Sequence, residues 1–208
     1  AWEVPVVGVN HIEGHIFANV LSLGSFSVEF PSMILTVSGG HTMLIFMRDF
    51  GDYETVGVTR DDAAGEAFDK AAKLMELGYP GGPAISAQAQ DFLERGGSAH
   101  EDISLPRPMI DSPGYDMSFS GLKTSLLYAL KKDPEWRERI PQYCYEFQQA
   151  IIDVLSSKTV KAARDYNAQS IMLGGGVAAN HKLRSDLSRY IRERSTNLSF
   201  MVPDMAYT

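Results

Sequence analysis

Two apolar runs of strand length, Met33-Ile34-Leu35-Thr36-Val37 and Met43-Leu44-Ile45-Phe46-Met47, flank the short segment Ser38-Gly39-Gly40-His41-Thr42. Continuous apolar runs bounded by turn residues are the pattern of buried strands. With Glu54-Thr55-Val56-Gly57-Val58-Thr59 as a third strand, residues 33–59 read as an antiparallel meander with a Gly-Gly turn. The rest of the chain supplies what such a sheet packs against. Ala64, Phe68, Ala71, Ala72 and Met75 share one helical face, and Tyr79-Pro80-Gly81-Gly82-Pro83 ends that helix. Further helices are predicted over 85–94, 122–131 and 142–165, the last with Phe147, Ile151, Val154 and Leu155 as its stripe, around a loop-rich 96–114. Residues 170–194 read as strand, glycine turn and helix, and 198–202 as a last strand. Upstream, residues 4–9 read as a strand and His11 to about Leu21 as a short helix. This order implies a mixed sheet flanked by helices, an α/β class.

The 208 residues, 44% hydrophobic and 22% charged, form an ordinary globular mixture without repeats or low-complexity segments. No apolar run approaches the roughly 18 residues that cross a bilayer. We therefore expect a cytoplasmic protein with no membrane partner. The single cysteine, Cys144, excludes an internal disulfide framework and reads as a small buried hydrophobe. A net charge of −7 provides no global field for nucleic acid, so any such binding requires a local patch or a more basic partner. The chain opens on Ala1-Trp2-Glu3 and stops at Thr208, and both ends are expected to be cut ends.

Asn10-His11-Ile12-Glu13-Gly14-His15 places two histidines four residues apart. On a helix His15 lies about 40° round from His11, so both imidazoles can reach one metal, while Glu13 lies about 200° away. A zincin carries its base immediately after the first histidine, and here the glutamate is displaced by one, which argues against a peptidase. Two ligands do not complete a site, and His41, His100 and His181 lack ligand spacing to the pair. The alternative is a pair of unconnected surface histidines.

Ser38-Gly39-Gly40 offers backbone N–H groups, with the Ser38 and Thr42 hydroxyls, to a phosphate or carboxylate; the alternative is a hairpin turn that merely needs glycine. Gly174-Gly175-Gly176 ends a strand and opens a helix, bringing backbone close to a ligand, with Asn180 in the helix's first turns. At least one of Asp61 and Asp62 is expected to favour the helix N-terminus that follows. Asp69 can face a cleft and accept hydroxyl hydrogen bonds, with Lys70 and Lys73 beside it. Lys182, Arg184, Arg189, Arg192 and Arg194 make a basic helix, read as a solvated face ahead of an RNA patch.

In order along the chain, NHIEGHI, VSGGHT, DDAAGEAFDKAAKL, YPGGP, PRPM, DMSFSGLKTS and GGGVAAN resemble the universal tRNA threonylcarbamoyladenosine transferase family, in its bacterial and organellar branch. The resemblance covers essentially the whole chain. It implies an actin/Hsp70/sugar-kinase-like protein of two ribonuclease H-like lobes, with residues 1–30 the end of the first lobe plus the metal helix and 31–208 most of the second. It also implies transfer of the threonylcarbamoyl group of threonylcarbamoyl-AMP to N6 of adenosine 37 in tRNAs reading ANN codons. By the same resemblance His11 and His15 are ligands of one divalent metal, iron or zinc, whose third ligand lies beyond Thr208. Thr36, Val37, Ser38, Gly39, Gly40, Asp69, Gly82 and Asn180 match substrate- or nucleotide-binding positions. Implied partners are tRNA and accessory proteins, in bacteria a paralogous partner and an ATPase. The piece represented by these residues is expected to be inactive by itself. No catalytic base or covalent nucleophile is identified. The rivals are an actin-like nucleotide-binding module without catalysis and, disfavoured, a metallopeptidase.

Overall fold

A computed structural model describes residues 4–23, 28–98, 102–194 and 197–207. Its centre is a five-stranded sheet in the order β3-β2-β1-β4-β5, built from β1 (Ser32–Val37), β2 (Thr42–Asp49), β3 (Asp52–Val58), β4 (Ser170–Gly174) and β5 (Ser199–Met201). The expected meander is present: β1–β2 and β2–β3 are antiparallel. Strand β4 pairs parallel to β1 with Thr36 opposite Gly174, and β5 pairs parallel to β4. The mixed α/β class is therefore observed. The order places the C-terminal ends of the central parallel strands β1 and β4 side by side, where open α/β sheets bind ligands.

Every residue of β1 and β4 is buried because both faces of the sheet are covered. Side chains alternate between the faces. Met33, Leu35, Val37, Leu44, Phe46, Ile171 and Leu173 join a large core, under α2 (Ala64–Leu74), α3 (Gly81–Glu94), α4 (Ser120–Lys132), α5 (Ile140–Asp165) and α6 (His181–Arg194). Ile34, Ile45, Met47 and Met172 face the other way and pack with Ile16 of α1 (His11–Leu23). Cys144 is buried on α5 beside the Met75 sulfur, and burial pushes its thiol up to about 12, so it is a packing residue.

Three sequence expectations change. Residues 4–9 form no strand: Val4, Val6, Val7 and Val9 are exposed, and no described residue pairs with them. A strand requires a hydrogen-bonding neighbour, whatever its propensity. The Tyr79–Pro83 segment does separate α2 from α3, but α3 begins at Gly81, inside it. Pro83 is accommodated in the first turn, where no intrahelical N–H is required. Asp61 does not serve the helix that follows it. Its carboxylate accepts the Phe119 and Ser120 N–H groups and the Ser118 and Ser120 hydroxyls at the start of α4, while α2 receives the Thr42 hydroxyl oxygen on its Ala64 N–H (2.9 Å).

Burial acts to raise the Asp61 pKa, but these four hydrogen bonds outweigh it and hold the carboxylate below its usual range. Asp61→Asn is expected to lower stability by about 1 kcal/mol at neutral pH. A depressed folded-state pKa contributes stability above the unfolded value near about 3.9, which is lost as pH falls through the folded value. The difference between wild type and Asp61→Asn in urea unfolding should therefore hold at pH 7 and shrink below about pH 4. A difference constant across that range would contradict the assignment.

Candidate functional site

Glycine shapes the region where β1 and β4 end. A Cβ on Gly65 of α2 would lie 2.6 Å from the Ser38 carbonyl oxygen, and one on Gly174 would lie 2.8 Å from the His15 carbonyl oxygen. Gly175 has φ +90° and its missing Cβ is replaced by the Val37 carbonyl. Two of the three consecutive glycines thus serve backbone-to-backbone packing, and only Gly176 borders open space. The same division occurs at the next motif. A Cβ on Gly81 would meet the Asp69 Cα and the Phe68 oxygen, both at 2.6 Å, whereas Gly82 has open space around it.

The open sides face one cleft of about 920 Å³, lined by Gly39, Asp69, Gly82, Gly176 and Asn180, with Gln148 at its wall. Four residues matched by resemblance, Gly39, Asp69, Gly82 and Asn180, are thus brought together from the β1–β2 turn, α2, α3 and the β4–α6 connection. Asp69 accepts the Gly81 N–H (2.7 Å) through Oδ1, anchoring the start of α3. Its other oxygen has no partner among the described residues. Asn180 is not inside α6 but immediately before it: Oδ1 accepts the Leu183 N–H (2.9 Å), an N-cap bond that fixes the side chain.

Thr36, Val37, Ser38 and Gly40 do not line this cleft. Thr36 and Val37 are fully buried in β1, and the Thr36 hydroxyl has no partner among the described residues. The Ser38 and Thr42 hydroxyls, expected to face a ligand, are committed elsewhere. Ser38 Oγ accepts the His41 N–H (3.1 Å) and Thr42 Oγ1 accepts from Ala64. The donors that remain in the turn are the N–H groups of Gly39 and Gly40, unpaired among the described residues. Lys70 does not flank Asp69 but pairs with Asp62 (2.7 Å) and Glu66 (2.8 Å). The basic residues of α6 do not form one solvated face: Lys182 pairs with the buried Asp186 and also lines the cleft, Arg184 donates to the Ala178 carbonyl, and Arg189 and Arg192 pair on the outside with Asp186 and Ser188.

On the other side of the Ser38–His41 turn stand the histidines. Asn10 Oδ1 caps α1 by accepting the Ile12 and Glu13 N–H groups (2.9 and 3.3 Å), so the helix begins at His11. The His11 and His15 ring centroids are 4.5 Å apart, as the helical spacing requires. His41, which the linear spacing leaves out, lies 5.8 Å from His11 because the Ser38 turn folds it back over α1. His100 is outside the described residues. Burial, with His11 and His41 nearby, pushes the His15 pKa down, leaving a neutral imidazole at pH 7. His15 Nε2 is buried with no partner among the described residues. A buried nitrogen of this kind, beside a second imidazole, fits a metal-ligand pair. No third His, Cys, Asp or Glu among the described residues completes a ligand set. Glu13 lies beside the Tyr53 phenol of β3, in no position to serve as a base for this pair.

The family model for TsaD, tRNA N6-adenosine threonylcarbamoyltransferase, matches residues 1–208. The chain belongs to this family. Relatives bearing that name include proteins of Dehalococcoides mccartyi strain CBDB1 (48% identical over 99% of this chain and 58% of the relative), Kosmotoga olearia (45%, 94% and 56%) and Bacillus subtilis (41%, 99% and 57%). The chain therefore spans a little over half the length of these curated relatives. Among solved structures, HypF of T. kodakarensis is similar in fold, with a TM-score of 0.51 over 76% of this chain and 18% of that one, at 15% identity. Membership of the family implies an actin-like fold, with which the observed five-stranded mixed sheet agrees.

The division of the glycines is directly measurable. Gly81→Ala is expected to lose about 2 kcal/mol of stability, whereas Gly82→Ala should change it by no more than about 0.5 kcal/mol. Urea denaturation of the two variants reads the difference, and equal losses would mean that the approach of α3 to α2 is not as close as described.

Proposed function

We propose that this chain supplies most of the catalytic cleft of a full-length enzyme that transfers the threonylcarbamoyl group of threonylcarbamoyl-AMP to N6 of adenosine 37 in tRNAs reading ANN codons. The observation that carries the reading is the Ser38–His41 turn: Gly39 borders the cleft on one side, and His41 lies against the His11–His15 pair on the other. A donor molecule with a nucleotide at one end and a threonylcarbamoyl group at the other requires two adjacent subsites of this kind. The names of the relatives agree with this chemistry.

In the proposed reaction the adenine N6 attacks the carbamoyl carbonyl. A C–N bond forms, the C–O bond to the phosphate breaks, the N6 proton is released and AMP leaves. The cleft residues act by holding the nucleotide. Asp69 has a free carboxylate oxygen for a hydroxyl, Gly39 offers backbone N–H, and Gly82 and Gly176 let the ligand approach the main chain. His11 and His15 would hold one iron or zinc ion together with a ligand from outside the described residues. A divalent ion there supplies Lewis-acid polarisation of the threonylcarbamoyl group. The mixed anhydride is already activated, so positioning can provide much of the rate and no side-chain base is needed.

Within this reading residues 1–30 belong to the end of a first lobe and 31–208 to the second, and turnover requires the full-length protein. tRNA binding is shared with accessory proteins, in bacteria a paralogous subunit and an ATPase. The net charge of −7 agrees with sharing. The setting is the cytoplasm, and no helix among the described residues is long and apolar enough to cross a membrane.

The test combines the full-length protein with its accessory partners, threonylcarbamoyl-AMP and unmodified tRNA, and quantifies modified adenosine by mass spectrometry of nucleosides. Wild type should give product. His11→Ala and His15→Ala should each lower the rate about 100-fold and lower bound metal, with the metal-free variants unfolding at about the temperature of the metal-free wild type. Absence of product from wild type, where the Bacillus subtilis relative makes it, would remove the transferase reading.

A further inference from the structure

A glutamine in the wall of the cleft belongs to no motif singled out in the sequence. Gln148 sits on α5, 3% exposed, and borders the same cleft as Asn180. The Asn180 Nδ2 donates to Gln148 Oε1 at 2.8 Å, and the Asn180 Oδ1 accepts the Leu183 N–H at 2.9 Å. Gln148 Nε2 has no partner among the described residues.

The polarity of this chain of hydrogen bonds follows from its first member. A backbone N–H can only donate, so the atom of Asn180 facing Leu183 must be the oxygen. That makes the Asn180 atom facing Gln148 the amide nitrogen, and the Gln148 atom that receives it the oxygen. The nitrogen of Gln148 is then left as a donor. Neither amide can flip without separating the Leu183 N–H or the half-buried Asn180 nitrogen from its acceptor, at the cost of a hydrogen bond. A largely buried polar group of fixed sign, without a protein partner and bordering a cleft, selects for a ligand atom of the opposite sign.

We propose that Gln148 is a further binding residue of the cleft: it locks the Asn180 side chain and offers Nε2 as a donor to an acceptor atom of the bound nucleotide. The inference rests on the reading of the cleft as a nucleotide site. It assigns to α5, an element with no residue among the expected contacts, a direct part in recognition.

The experiment uses the full-length protein and AMP as the probe, with dissociation constants from isothermal titration calorimetry well below the unfolding temperature of each variant. Gln148→Glu keeps the acceptor for Asn180 but replaces the donor by a second acceptor. Gln148→Met keeps the length and removes both functions. Both are expected to weaken AMP binding at least tenfold. The double variant Gln148→Met, Asn180→Ala is expected to bind about as weakly as the weaker single variant, because the two side chains act as one unit. A purely structural glutamine would lower the unfolding temperature of Gln148→Met and leave AMP affinity of Gln148→Glu within twofold of wild type, and that result overturns the proposal while leaving the nucleotide site standing. Strict additivity in the double variant overturns it as well. Failure of the wild-type protein to bind AMP at all would overturn the nucleotide reading and this inference with it.

Discussion

At the C-terminal end of β1, main chain meets main chain at distances that exclude any side chain. Gly65 brings α2 onto the Ser38 carbonyl, Gly175 brings the β4 exit onto the Val37 carbonyl, and Gly174 brings that exit onto the His15 carbonyl of α1. Glycine is required at each because a Cβ would occupy the volume of a backbone atom, and at Gly175 a φ of +90° adds a conformational requirement. These approaches fix the Ser38–His41 turn relative to α2 and the β4 exit, and through that exit relative to α1. Both halves of the candidate site depend on that turn, since it contributes Gly39 to the cleft and carries His41 to the histidines.

The polar groups nearest the turn reinforce it and do not reach outward. Ser38 and Thr42 bond within the fold, and Asp61 gathers the start of α4. Asn180 caps α6 while its amide nitrogen bonds Gln148. Among the cleft groups with no protein partner among the described residues are the Gly39 N–H, one Asp69 oxygen and the nitrogen of Gln148, and Ser86, His181 and Lys182 also line the wall. Groups whose directions are already set by the fold incur little ordering cost when a ligand binds to them.

How much of this was legible in the sequence varies with the range of the physics involved. The buried strands 33–37 and 43–47 and the helical face of Phe68 and Met75 were readable because burial imposes a local period on side chains. The His11–His15 pairing was readable for the same reason, as was the displacement of Glu13. Residues 4–9 were misread because strand propensity cannot provide a partner. The glycine turns stand out in the sequence, yet their division into packing and cleft-facing members is not visible there: Gly81 and Gly82 are adjacent and identical in sequence, and only the approach of α2 distinguishes them. Thr36 and Val37 carried a motif match but lie inside the sheet, because the same strand that delivers the turn is its central member.

The sequence alone determined the α/β class, the antiparallel start of the sheet, the buried cysteine and, through the joint order of its motifs, the family. Each of these depends on local pattern or on a set of residues compared as text. Only the tertiary structure decided that His41 faces the histidine pair, that Asp61 serves α4 and not α2, and that Gln148 shares a wall with Asn180. In each case the partners are brought together by packing across 30 or more residues of chain, as with Gln148 and Asn180, separated by 32. No periodicity spans such a distance, and hydrogen-bond direction becomes informative only once the neighbouring donor is known.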